Sequence, residues 1–185
     1  MKKGIIFLMM LAGALSASAQ TTFNQGDMVI NLGVGLGNAL YSGAEYRTRI
    51  PPLAASLEYC IKDKLFDDNS ALGIAAYAAL STAGYSVNVN GNSTANYNSS
   101  SVVLGGRGLF HYQFVDHLDT YTGFTVGWNG ITTSKAGELL PNSKASEMLF
   151  DWVVGGRYYF TNNFAGMAEL GFGVAYLTVG VSFRF

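Results

Sequence analysis

The chain ends Leu177-Thr178-Val179-Gly180-Val181-Ser182-Phe183-Arg184-Phe185, and the alternation in this stretch decides the fold. Successive side chains of a strand point to opposite faces. Leu177, Val179, Val181, Phe183 and Phe185 therefore share one face, while Thr178, Gly180, Ser182 and Arg184 share the other. One face suits hydrocarbon and the other suits small, polar or charged neighbours. In an exported chain, a terminal strand of this kind predicts the wall of a membrane barrel.

The N-terminus predicts export. Met1-Lys2-Lys3 precedes a short apolar run from Gly4 to Leu15, and Ala17-Ser18-Ala19 follows directly before Gln20. A charged start, an apolar core and a small-x-small site are the marks of a secretory signal peptide, with cleavage expected after Ala19. The run is shorter than the roughly 20 residues of a spanning helix, and no later stretch offers one. The expected organisation is residues 1–19 as signal and residues 20–185 as one barrel domain.

Composition agrees with strands in lipid. Glycine numbers 23, aromatics make up 14% and charged residues only 12%, against about 25% charged in soluble domains. The net charge of −1 becomes −3 once Lys2 and Lys3 leave with the signal, which excludes a nucleic-acid partner on electrostatic grounds. Cys60 is the single cysteine, so no internal disulfide or multi-cysteine metal site can form.

Seven further segments alternate in the same way. The expected strands are Met28–Gly37, Leu53–Ile61, Ala71–Ser81, Val102–Phe114, Thr120–Gly130, Met148–Phe160, Gly166–Val174 and Leu177–Phe185. Their lengths suit tilted strands crossing a bilayer. The large apolar residues define an outer face in each: Leu32 and Val34, Leu57, Ile74, Leu104, Phe124 and Val126, Phe150 and Val154, Leu170, Phe172 and Val174. Glu58, Arg107, Asp151, Arg157, Glu169 and Arg184 all take the opposite parity. A cation on the lipid face at mid-depth costs about 2–4 kcal/mol, so these three cations and three anions are expected inside as a lumen charge network. Asn31, Tyr77, His111, Gln113, Tyr121 and Tyr159 share that face. An eight-strand barrel is just wide enough for side chains to fill, which predicts a polar plug. The expected fold is an all-β, eight-stranded antiparallel up-and-down transmembrane β-barrel.

The connections alternate in length. Asn38–Pro52, Thr82–Ser101 and Ile131–Glu147 are long, Lys62–Ser70 is intermediate, Val115–Asp119 and Thr161–Asn163 are short, and the last, at Ala175–Tyr176, is tight. Outer-membrane barrels carry short periplasmic turns and longer external loops. With an even strand count, both termini are expected in the periplasm. Tyr59, Tyr112, Phe114, Tyr158, Phe160, Phe183 and Phe185 gather at that end as an aromatic girdle.

The whole expected mature region, Gly26 to Phe185, resembles the small outer-membrane β-barrel family of Gram-negative bacteria, the eight-strand barrels related to OmpX and to the membrane domain of OmpA. The resemblance is clearest in Gly156-Arg157-Tyr158-Tyr159-Phe160, Ala168-Glu169-Leu170-Gly171-Phe172-Gly173 and Val179 to Phe185. It implies the cell outer membrane as the location, lipid and lipopolysaccharide as surroundings, and recognition by the barrel-assembly machinery. It also implies that Val181, Phe183 and Phe185 carry the assembly signal.

Motifs for chemistry are sparse. The two histidines, His111 inside and His117 in a turn, have no nucleophile and carboxylate in a triad pattern. Asp67-Asp68-Asn69 lacks the spaced ligands of a calcium loop, and Gly33-Val34-Gly35-Leu36-Gly37 lies in a strand and does not complete GxGxxG. Glu58 and Glu169 invite a glycosidase reading, but nearby arginines favour ion pairing. No catalytic residue, cofactor or metal is expected. The loops at 82–101 and 131–147 are rich in Asn, Ser, Gly and Tyr, the composition of binding loops. Val87-Asn88-Val89-Asn90 alternates, so strand three is a candidate to continue above the membrane as a ribbon with an edge open to a partner strand. The expected role is a monomeric barrel with a plugged lumen and interactive, adhesion-like surface loops. The alternatives are a narrow pore for water or small solutes and, behind it, a lipid-modifying enzyme. A soluble eight-strand barrel would have the faces reversed.

Overall fold

The computed structural model describes residues 23–89, 93–136 and 143–185, so the expected signal peptide, its cleavage site at Ala17, Ala19 and Gln20, and the tips of the two longest connections lie outside the described residues. The strands are β1 (Met28–Asn38), β2 (Arg47–Asp63), β3 (Ser70–Val89), β4 (Ser93–Val115), β5 (Leu118–Lys135), β6 (Ser143–Tyr159), β7 (Phe164–Leu170) and β8 (Ala175–Arg184). Each pairs antiparallel with its neighbours in sequence, and β1 with β8, to close a barrel.

The faces fall as the alternation predicts. Outward Leu104, Phe124 and Phe150 are 61%, 67% and 63% exposed, while inward Glu58 and Arg157 are 1% and 0% exposed. A soluble protein could not present such an exterior to water at favourable free energy. The wall is an inverted soluble fold, with ions as its core.

The strands differ in three ways from the spans expected from sequence. β3 to β6 run far past the apolar band, with 20, 23, 18 and 17 residues. The β3–β4 ladder is unbroken from Ser70↔Tyr112 to Val89↔Ser93, so most of 82–101 is strand, β3 continues as the alternation from Val87 predicts, and 97–101 pairs with β5 as well. Much of 131–147 is likewise strand, paired up to Thr133↔Ser143. β2 starts at Arg47, ahead of Pro51-Pro52, which lack amide hydrogens and coincide with register shifts against β3.

The third departure is at β7. It ends at Leu170, and the β7–β8 connection is 171–174 instead of the expected tight turn at Ala175–Tyr176. The Asp151 carboxylate accepts hydrogen bonds from the amides of Phe172 (2.9 Å) and Gly173 (2.8 Å), drawing them off the ladder. Val174, expected outside, turns inward and is only 3% exposed.

Candidate functional site

The lumen is built in layers, and every strand contributes. Nearest the end where β1 begins and β8 finishes, Arg157 on β6 donates from Nη1 to Glu58 Oε2 (2.9 Å) and from Nη2 to Asp119 Oδ2 (2.6 Å). His111 on β4 sits between the same two acids, with Nε2 2.7 Å from Glu58 Oε1 and Nδ1 2.9 Å from Asp119 Oδ1. The imidazole is thus held between two carboxylates, with Arg157 Nη2 3.3 Å from its Nδ1. Asn31 on β1 donates to Ser56 Oγ (3.0 Å) and accepts from Ser182 Oγ (2.6 Å), tying β1, β2 and β8 together.

A second pair lies deeper. Arg107 on β4 makes a two-pronged contact with Glu169 on β7 at 2.8 and 3.0 Å. Its guanidinium lies 3.9 Å from the centre of the Tyr77 ring on β3. The Tyr121 hydroxyl of β5 donates to Glu169 at 3.2 Å. Charge, paired donors and an aromatic face together meet the demands of a buried guanidinium.

These placements revise the expected network. It is divided among separate groups of contacts, and its six members do not converge. Arg184 stands at the rim, 3.7 Å from Asp27 and donating to the carbonyl of Asn162. Asp151 serves the backbone of 172–173. Glu58 and Glu169 are each engaged by a different arginine, which removes the geometry of a catalytic carboxylate pair. Asp119, expected in a turn, is a buried member of β5; its parity with Tyr121 and Gly123 was the available signal. Toward the opposite end an apolar cluster of Tyr77, Ala79, Val103, Leu149 and Val174, with Leu40 against it, lies among buried polar groups, Asn38 donating to Ser81 Oγ at 2.7 Å.

Phe23 was not marked by sequence. It precedes β1, is 4% exposed, and its ring centre lies 4.4 Å from that of His111, closing the lumen at the terminal end. Hydrogen bonds from Gly26 to Cys60 and from Cys60 to Asp27, at 3.1 and 3.0 Å, fix the segment. One void of about 10 Å³ lies between the layers beside Arg107 and Asn31, and another of that size lies at the end beside Phe23 and Asn69, room for about one water each.

At the same end, aromatic contacts run along the outer rim through Tyr158, Phe160, Phe164 and Phe183. Tyr112 packs on Phe114 nearby and donates to Asp67 Oδ2 at 2.9 Å, which holds that exposed carboxyl below its usual range. At the opposite end Tyr85 stacks on Tyr97 with centroids 5.4 Å apart, and Tyr46 meets Tyr85 edge-on. The β6 edge from Ser143 to Val153 has no partner on the β7 side among the described residues, because pairing starts at Val154↔Leu170.

Eight antiparallel strands closed on themselves, with an apolar exterior, an ionic interior and one end extended, define an eight-stranded β-barrel of the outer-membrane type. No family profile and no curated protein matches the chain. Among solved structures it is similar to Ail, the attachment invasion locus protein of Yersinia pestis, in complex with the heparin analogue sucrose octasulfate. That match has 14% identity, a TM-score of 0.49, and covers 87% of this chain and 99% of the other. It is also similar to the N-terminal β-barrel domain of Pseudomonas aeruginosa OprF, at 19% identity and a TM-score of 0.41, covering 87% and 98%. Ail in a phospholipid bilayer nanodisc matches at 17% identity and 0.42, covering 87% and 100%. At these identities the likeness is one of fold.

Proposed function

We propose that the protein is a non-enzymatic, monomeric outer-membrane barrel that recognises a partner at the cell surface through the sheet formed by the extended ends of β3 to β6. Residues 1–19 are its cleaved signal, residues 20–185 its barrel, and both termini lie in the periplasm. Val181, Phe183 and Phe185, on the outer face of the last strand, present the signal to the assembly machinery.

The observation that carries this reading is the open β6 edge. A long edge offers a row of unpaired amides and carbonyls to an extended segment of another chain. Here the edge belongs to a sheet raised beyond the apolar band and stiffened by the Tyr85–Tyr97 stack. The packed lumen supports a display role over a conducting one, and the dispersed acids support a non-catalytic one.

The test replaces Lys144 and Ser146 on that edge with proline, which blocks strand addition. Cells displaying the native protein are expected to adhere to host-cell layers or matrix proteins. The double variant should lose most of that gain while keeping its heat-modifiable band on a gel. Adhesion equal in native, variant and empty-vector cells would overturn the proposal.

A further inference from the structure

The outer wall is not uniformly bulky. Where most outer positions carry Leu, Ile, Val or Phe, Ala55 on β2 faces Ala78 on β3, and Ala76 faces Gly106 on β4. The Ala55 and Ala78 side chains leave a groove of about 580 Å³ rimmed by Leu32, Leu53, Leu80, Val102 and Val179. It continues into a second hollow of about 420 Å³ that shares Ala55 and Ala78 and reaches Leu104. Both hollows are lined almost wholly by carbon.

The groove has a graded upper end. Two residues above Leu80, Thr82 Oγ1 and Ser100 Oγ form a hydrogen bond of 3.1 Å across the β3–β4 pair. Two residues further, Gly84 has the same parity, and Arg49 Nε lies 2.7 Å from the point where a Cβ on Gly84 would stand. The guanidinium therefore lies on the outer face, about 13 Å along the strand from Leu80 at the usual rise per residue. Arg47 stands opposite Gly84 in the register. Arg47 and Arg49 are both exposed and have no ion pair among the described residues. Hydrocarbon groove, hydroxyl step and uncompensated guanidinium follow in the order of acyl chain, linkage region and phosphate in a lipid.

We propose that this groove holds an acyl chain of a phosphorylated glycolipid of the outer leaflet, with its phosphate received by Arg49 and Arg47. The proposal rests on the outer-membrane placement argued above and is independent of the surface partner. A planar guanidinium matches phosphate oxygens two at a time. The bare backbone at Gly84 lets Arg49 lie against the wall, where a side chain would push it away.

The test uses the full protein in phosphatidylcholine nanodiscs doped with hexa-acylated, bisphosphorylated lipid A, read by native mass spectrometry after release. One lipid A per barrel should remain bound. Ala78→Phe fills the groove floor and should lower retention about tenfold. Arg49→Ala should lower it about fivefold, and should leave retention of the dephosphorylated lipid unchanged. Retention by Ala78→Phe equal to native, equal retention of phosphatidylglycerol, or a second barrel seated on this face would overturn the proposal. Each sample is first checked for heat-modifiable migration. A native protein lacking it would refute the membrane placement itself, and an Ala78→Phe variant lacking it leaves the decision to Arg49→Ala.

Discussion

Arg157 divides its guanidinium between Glu58 and Asp119, and none of the three is more than 1% exposed. Removing it would leave two carboxylates buried with only His111 between them. Breaking a buried pair from one side costs about 3–5 kcal/mol, so Arg157→Leu is expected to lower barrel stability by that amount. Arg184 carries the same charge at the rim, and Arg184→Ala should cost only about 0–1 kcal/mol. Urea unfolding in lipid vesicles, followed by the fluorescence of Trp128 and Trp152, measures both. Equal losses would show that the two arginines do not differ in this way. Parity in the sequence put both residues on one face but could not separate them, because parity carries no information about depth along the barrel.

At the scale of elements, β7 and Asp151 explain each other. Leu170, Phe172 and Val174 alternate as a continuing strand would, yet the ladder stops at Leu170. The competing bond is a charged acceptor from another strand, 21 and 22 residues away, which local alternation cannot reveal. Asp151→Ala should release the amides of Phe172 and Gly173 and cost about 1.5–3 kcal/mol, as expected for hydrogen bonds to a charged group. Hydrogen exchange at those two amides is the check; unchanged protection would sever the link. The long end of β3 was marked in the sequence by the alternation that starts at Val87, but those of β4 to β6 were hidden for another reason. Their Ser, Thr and Asn side chains are polar on both faces, so no apolar alternation marks them, and cross-strand pairing holds them instead. The membrane-spanning parts were legible because lipid and lumen impose opposite demands on neighbouring residues.

As a whole, the molecule is a wall closed around a filled centre. Native protein in planar bilayers should give no reproducible single-channel steps, since the ion-paired layers, the apolar cluster above them and Phe23 block the path in series. Cys60 offers a second readout: it is 0% exposed and packs in one cluster with Phe23. It should resist maleimide in the folded native barrel and become labelled in Phe23→Ala. Steps in the native protein, or rapid labelling of its thiol, would contradict a sealed centre. The closure also joins the two ends of the chain. Met28 and Phe185 exchange backbone hydrogen bonds of 3.1 and 3.0 Å, so the first strand and the last residue are neighbours in the ring. A short linker could join them, and the chain could be reopened at the Asp116–His117 turn to give a rearranged order of strands with the same circle of partners. Such a permuted chain would carry Phe185 inside a continuous wall, and so would test the assembly role proposed for that strand apart from the closing of the ring.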